Sequence, residues 1–389
     1  MSTMNDLRLI LGLVVALLLF PAIASATEEG TATGDDPIGV GVIPGGGGFY
    51  IQDEGFRLRV LGYVQAQANL QDGSLDRDSA RDFSVRRARI NFLVDIYEDF
   101  EVFLELDGAP ESRTAMVEAR LNWRLVDEAL QLRAGKFTSQ FSHENARSSR
   151  DIDTVERYLA LNSMFLLPAL DTQFGIMGHG RLGRRQALGW SLGLYNGNSS
   201  ANANVRDDND DKEVQARLDY KWTDQLRTGV ALNYTRETEQ TLSLVDASFN
   251  RFAGVDVSGR RRGVGADLFW QRDAWSLRVE GLRFRFDGAD ESRIELSGGF
   301  VQPAWFVHGS SAGGTQLLLR METARLDADT DDDGDSLYAL TAGVNHFLNP
   351  NVRLQVNAMA THFDGPSQIQ GFDSSRTTRA LLTQLQYKF

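Results

Sequence analysis

The sequence predicts an all-β protein: a transmembrane antiparallel β-barrel of about sixteen strands, with one long loop folded into its lumen. Three observations carry this. In the last eleven residues, Arg379 to Phe389, Leu381, Leu385, Tyr387 and Phe389 share one face, and Gln384, Gln386 and Lys388 the other, which is the period of a strand. Segments of roughly ten alternating residues recur from Phe56 to the end, as expected when lipid-facing and lumen-facing positions alternate. The connections between them alternate between short and long, as they must when one end of a barrel carries tight turns.

Ahead of the strands, Arg8, the apolar run from Leu9 to Phe20 and the stretch Ala22-Ile23-Ala24-Ser25-Ala26 predict a secretory signal over residues 1–26, cleaved after Ala26. Residues 27–48, with Gly45 to Gly48, read as a flexible periplasmic lead-in, and 49–389 as the barrel. Beyond Ala26 no run of about 18 apolar residues exists, so any crossing of a membrane must be made by strands. The mean hydropathy of −0.29 is compatible with that, because only every second strand residue meets lipid.

In chain order, strand 56–69 carries Arg57, Arg59, Gln65, Gln67 and Asn69 on its polar parity. Strand 82–96 sets Arg87, Arg89 and Asn91 against Ala88, Ile90, Phe92 and Val94, and turns at Tyr97 to Asp99 into 99–107. Strand 113–125 turns at Val126 to Glu128 into 129–137. After a long connection come 171–181, 187–195 and 212–222, the last alternating Val214, Ala216, Leu218 and Tyr220 with Gln215, Arg217, Asp219 and Lys221. Thr223 and Asp224 lead into 225–236, and Arg272 with Asp273 join 263–271 to 274–286. Within 274–286 the apolar parity slips by one around Gly281, which suggests a bulge. Strands 292–306, 315–326, 336–347, 351–363 and 378–389 complete the sixteen, with Asn349 to Asn351 as the last short turn.

With the final strand descending to the periplasm, every short turn falls on that side, and the long acidic or Gly/Ser-rich loops lie outside the cell. Trp123, Trp222, Trp270 and Trp275 then sit at periplasmic strand ends on the apolar parity, with Trp305 near such an end, the placement of an interfacial aromatic girdle. The connection 138–170 is longer than a barrel loop needs and is expected to fold into the lumen as a constriction. Within it, Asp153-Thr154-Val155-Glu156 reads as a capping box opening a short helix through Leu161.

The run FSVRRARINFLVDIYEDFEVFLELDG from Phe83, and later RAGKFTSQFSHENARSSRDIDTVERYLAL followed by a strand with Gly175 and Gly178, resemble the phosphate-selective porin O and P family. Members place a basic R-R-x-R strand early and follow a G-K-F strand with a long loop carrying an E-R pair. The likeness spans about residues 49–389 and places these motifs on Arg86, Arg87 and Arg89, on Lys136, and on Glu156 with Arg157. It implies a sixteen-stranded, trimeric outer-membrane channel for anions such as phosphate in a Gram-negative-type bacterium. One departure weakens phosphate selectivity without weakening anion passage. Only four of the 40 basic residues are lysines (Lys136, Lys212, Lys221, Lys388), so 36 are arginines.

Strand parity puts Arg57, Arg59, Arg87, Arg89, Arg120, Arg124 and Arg133 on the lumen side, with Arg217 and Arg227 on later strands. Arg157 joins them through the resemblance. Guanidinium groups offer paired donors to an oxyanion and stay charged at any relevant pH, and several weak sites in series permit conduction. Glu101, Glu105, Asp107 and Glu118 sit close enough to neutralise them, which would describe a general diffusion porin instead. Arg86 has outward parity and is expected to meet lipopolysaccharide phosphates or a trimer neighbour. The acid runs Asp207 to Asp211 and Asp327 to Asp335 leave open a third reading, a surface scaffold or adhesin with ion-binding loops. Asp329, Asp331, Asp333 and Gly334 begin like a calcium loop, but Leu340 stands where the closing glutamate belongs.

Expected partners are therefore small anions, outer-membrane lipid with lipopolysaccharide, and two further copies of the chain. No cofactor or metal is expected, and the absence of cysteine excludes thiol and disulfide chemistry. The five histidines lack H-E-x-x-H spacing and no G-x-S-x-G occurs, so no enzyme is expected. A net charge of −13 disfavours nucleic acid as a partner.

Overall fold

The computed structural model describes residues 39–74, 77–109, 115–164, 172–197, 210–245, 251–287, 293–328, 334–365 and 375–389. The signal segment 1–26 and the calcium-like residues Asp329, Asp331 and Asp333 lie outside the described residues.

The described chain begins with a hairpin, β1 (Gly39–Ile43) and β2 (Gly48–Asp53). Gly45, Gly46 and Gly48 have φ of 76°, 81° and 79°, a conformation that glycine adopts without penalty. The glycine run is thus a hairpin turn, which corrects the reading of residues 39–48 as an unstructured lead-in.

Sixteen strands follow: β3 (Phe56–Ser74), β4 (Arg77–Ile96), β5 (Phe100–Asp107), β6 (Ala115–Val126), β7 (Leu130–Thr138), β8 (Thr172–Leu182), β9 (Leu188–Tyr195), β10 (Glu213–Lys221), β11 (Leu226–Val245), β12 (Arg251–Arg272), β13 (Trp275–Asp287), β14 (Arg293–Ser310), β15 (Gly313–Ala328), β16 (Asp335–Phe347), β17 (Val352–Asp364) and β18 (Ser375–Lys388). Each pairs antiparallel with the next, and β18 returns to β3. Closure pairs every strand edge, which is what lets a sheet stand in hydrocarbon.

At the seam, β2 pairs with Phe56 to Val60 and β18 takes over the same strand from Tyr63. Phe389 completes it, its N–H and C=O meeting Gly62 at 3.0 and 3.1 Å. The lumen side of the seam is a ladder of amides: Gln65 donates to Gln386 at 2.8 Å, Gln67 to Gln384 at 3.0 Å and Gln384 to Gln355 at 2.8 Å.

At one end of the barrel β3 and β4 run on to within two residues of each other, where the sequence suggests a long connection between residues 69 and 82. The short turns after β4, β6, β10, β12, β14 and β16 lie at the opposite end, which carries the two termini. There Trp123, Trp222, Trp275 and Trp305 face outward, and the rings of Trp275 and Trp305 stack at 5.2 Å. Further along, the outward face turns charged. Arg283 pairs with Glu295 at 2.5 Å, Arg285 with Asp287 at 3.1 Å and Arg325 with Asp327 at 3.2 Å. From Trp275 to Arg283 a strand tilted by about 40° climbs about 20 Å, close to the apolar band of an outer-membrane barrel.

Segment 139–164 packs against the inward residues of β10 to β18 and β3. It contains two short helices, α1 (His143–Ala146) and α2 (Leu159–Met164). Ser142 caps α1, its Oγ accepting from the Asn145 N–H at 3.0 Å. No helix opens at Asp153: Asp153 and Glu156 are drawn into ion pairs, and helix α2 starts only at Leu159.

Helix α2 sits in an apolar core built inside the barrel from Phe141, Tyr158 and Leu159 to Leu161 against Leu282, Phe284, Phe286, Leu296, Phe300 and Leu326. Burial of each large side chain there contributes about 2 kcal/mol. This core also explains the parity slip at Gly281. No bulge occurs, since β13 pairs without interruption with β12 and β14 through Gly281. Instead Leu282, Phe284 and Phe286 keep the lumen parity of Arg278 and Glu280, and turn apolar because the loop covers them.

Candidate pore and its basic lining

The true bulge lies in β4. Gln65 pairs with Arg87 and Ala66 with Val85, which leaves Arg86 as the extra residue. Arg86 is thereby turned inward and does not face lipid: its Nε and Nη2 donate to the Glu156 carboxylate at 2.8 and 3.2 Å. Arg87 lies 4.0 Å from the same carboxylate and donates to Gln65 at 2.9 Å. The basic strand motif and the loop glutamate therefore form one clasp, which ties the loop to β3 and β4. Burial alone would push the Glu156 carboxyl up, but Arg86 and Arg87 outweigh it and hold the pKa at about 2.

Along the rest of this wall, most of the expected arginines are matched by acids. Arg89 pairs with Glu105 at 2.6 Å and Asp107 at 2.9 Å, and Arg120 with Glu101 at 2.8 Å and Glu118 at 3.1 Å. Arg124 pairs with Asp95 at 3.1 Å and Glu101 at 3.5 Å, while Arg59 reaches Asp95 only at 4.0 Å. Among the described residues Arg57 and Arg133 have no ion pair; they lie over Tyr50 at 5.1 Å and Phe137 at 5.7 Å. Arg157 lies within the loop, donating to Ser149 Oγ at 3.2 Å and to the Arg147 carbonyl at 3.0 Å. Its place is to brace the loop's own backbone. Lys136 donates to the Met116 carbonyl at 2.9 Å and is almost fully buried.

The loop is fastened on its far side by carboxylates at buried lumen positions. Arg320 pairs with Glu144 at 2.8 Å, each with 1% of its side chain exposed. Glu280 accepts from the Ser142 hydroxyl, from the Glu144 N–H at 2.9 Å and from the Tyr158 hydroxyl at 2.9 Å. Asp153 binds Arg278 at 2.8 Å and Gln302 at 3.0 Å. Burial raises the Asp153 carboxyl, yet Arg278 and Arg147 hold it well below the ordinary range.

Two positive regions remain. His143, on α1, feels Arg217, Arg227, Arg147 and Arg278, of which Arg217 is paired with Asp267 at 2.7 Å; burial first and those charges next press its imidazole down to about 3. At the terminus end, Arg147, Arg150, Arg278, Arg353 and Lys388 line a cavity of about 400 Å3 whose acids, among the described residues, are Asp151 and Asp153. None of these five cations is among the eight expected from the sequence. Arg353 was readable, since it shares polar parity with Gln355 and Asn357. Arg278 precedes the misread slip, and Arg147 and Arg150 lie in an aperiodic loop where parity says nothing.

The sequence profile of the family described as phosphate-selective porin O and P matches residues 58–389. A comparison against curated protein sequences gives no significant match. Among solved structures, the anion-selective porin from Comamonas acidovorans superposes with a TM-score of 0.63 at 10% identity, over 86% of this chain and 100% of that one. OmpT of Vibrio cholerae in its trimer form gives 0.58 at 12% identity, over 86% and 99%. The outer-membrane channel DcaP of Acinetobacter baumannii gives 0.59 at 12% identity, over 87% and 99%.

Proposed function

The chain belongs to the phosphate-selective porin O and P family, and from that membership we propose that it is a passive channel for small anions such as phosphate. It is a porin of the Gram-negative outer membrane. Near His143, whose imidazole is lowered first by burial and then by four arginines, Arg147, Arg217 and Arg278 are already matched by Asp153 and Asp267. The observation that carries the anion reading is the set of lumen arginines with no ion pair among the described residues, Arg57, Arg133, Arg227 and Arg353. A lumen with that potential concentrates anions and repels cations. Arg57, Arg133 and Arg227, with no ion pair among the described residues, supply mobile-anion contacts between the two mouths. The paired arginines Arg89, Arg120 and Arg124 contribute geometry more than net charge.

The same pairing favours a second reading, a general diffusion porin with weak anion preference. Phosphate decides between them. Inorganic phosphate added during chloride conductance in a planar bilayer is expected to reduce the current saturably at millimolar concentration. Unchanged current would leave a general porin. The chain is further read as a homotrimer, on the likeness to the trimer form of OmpT. The outward arginines beyond the apolar band, Arg262, Arg283, Arg285 and Arg325, are read as facing lipopolysaccharide.

A further inference from the structure

Lumen arginines lie over aromatic rings whether or not a carboxylate pairs with them; among the paired ones, Arg120 lies over Phe103 and Arg320 over Phe300, both at 4.5 Å. The four without an ion pair among the described residues all do so. Arg57 stands over Tyr50, Arg133 over Phe137, Arg227 over Phe269 at 5.6 Å and Arg353 over Phe347 at 5.7 Å. The pattern culminates in the basic cavity at the terminus end. On one side it presents Lys388 with Arg147 and Arg278; Arg278 lies 4.2 Å above Phe269, and its Nε is held by Asp153 at 2.8 Å. On the other it presents Phe306 and Phe347, both half-buried, with ring centroids 5.8 Å apart and Arg353 over the Phe347 ring.

Inorganic phosphate would engage only the donor-rich side of such a cavity and leave the side of Phe306 and Phe347 unused. An ion that is polar at one end and flat and apolar at the other satisfies both sides. The volume of about 400 Å3 falls in the range of small-molecule sites. Resting on the anion-channel reading, we propose that this cavity is a binding site for aromatic carboxylates of about benzoate size. The carboxylate meets Lys388 and the Nη groups of Arg278, whose Nε stays with Asp153, and the ring lies against Phe306 and Phe347.

The test uses the folded full-length protein in planar bilayers, with benzoate or inorganic phosphate added to both compartments under chloride. Block is referred to each variant's own chloride current, and folding is checked by heat-modifiable migration. Benzoate is expected to block more tightly than phosphate. Phe347→Leu and Arg278→Gln should each weaken benzoate block by roughly tenfold, the factor carried by about 1.4 kcal/mol of lost ring or charge contact. Equal block by the two anions, or benzoate block unmoved in both variants, overturns the aromatic site while leaving an anion channel. Cation selectivity with no block by either anion overturns the channel reading itself.

Discussion

Replacing Glu156 by glutamine removes the charge at the centre of the clasp between loop and barrel. Its carboxylate binds Arg86 at 2.8 and 3.2 Å, lies 4.0 Å from Arg87, and has 10% of its side chain exposed. The fall in its pKa from an ordinary 4.5 to about 2 corresponds to roughly 3 kcal/mol, at about 1.4 kcal/mol for each tenfold change. Breaking a buried pair by removing one partner costs about the same, roughly 3–5 kcal/mol. The sign follows from the depression: the contribution is complete above pH 4.5 and is lost as pH falls toward 2. At pH 7 the variant should therefore open the loop about 100-fold more often. Hydrogen exchange of amides in 149–164 reads that opening, and the same exposure should appear in the unmodified protein near pH 2. Combining Glu156→Gln with Arg86→Gln should cost less than the sum of the two. Unchanged protection in Glu156→Gln would refute the clasp.

Glu213→Gln should lower the temperature at which the folded band is lost in heat-modifiable migration. It strands Arg261, whose pair at 2.8 Å is fully buried on both sides, at about 3–5 kcal/mol; an unchanged transition would contradict this. Gly135→Ala should reduce the folded yield, because Gly135 has φ of 123° and a Cβ there would lie 2.3 Å from the Ala119 carbonyl. Gly313→Ala, with nothing within 4 Å, should leave that yield intact, and equal yields would argue against the strain. Arg120→Gln should move the reversal potential toward cations, since it releases Glu118 and leaves Glu101 only its longer contact with Arg124 at 3.5 Å. No movement would mean that this pair lies off the ion path.

The strand count, the short turns and the tryptophan girdle were legible because each depends only on alternation and on where it stops. Two parity slips show where alternation ceases to be enough. In β4, outward apolar residues move from Phe83 and Val85 to Ala88 and Ile90, and a bulge lies between them. In β13 the same sign at Gly281 marks an unbroken strand whose inner face becomes apolar under the loop. Alternation locates a change of environment and cannot say whether backbone or surroundings changed. Opposite charges on neighbouring strands are legible too, in Glu101, Glu105, Asp107 and Glu118 beside the arginines of the same wall. What stayed hidden was set by the loop, because Arg147, Arg150 and His143 have no period to read.

The reversal potential under a tenfold potassium chloride gradient, compared between the unmodified protein and Arg133→Glu with Arg227→Glu, tests the central claim most directly. A potential on the chloride side of zero, driven toward the potassium side by the two substitutions, is the predicted result. A potential on the potassium side in the unmodified protein, or one unmoved by the substitutions, would contradict an arginine-lined anion path.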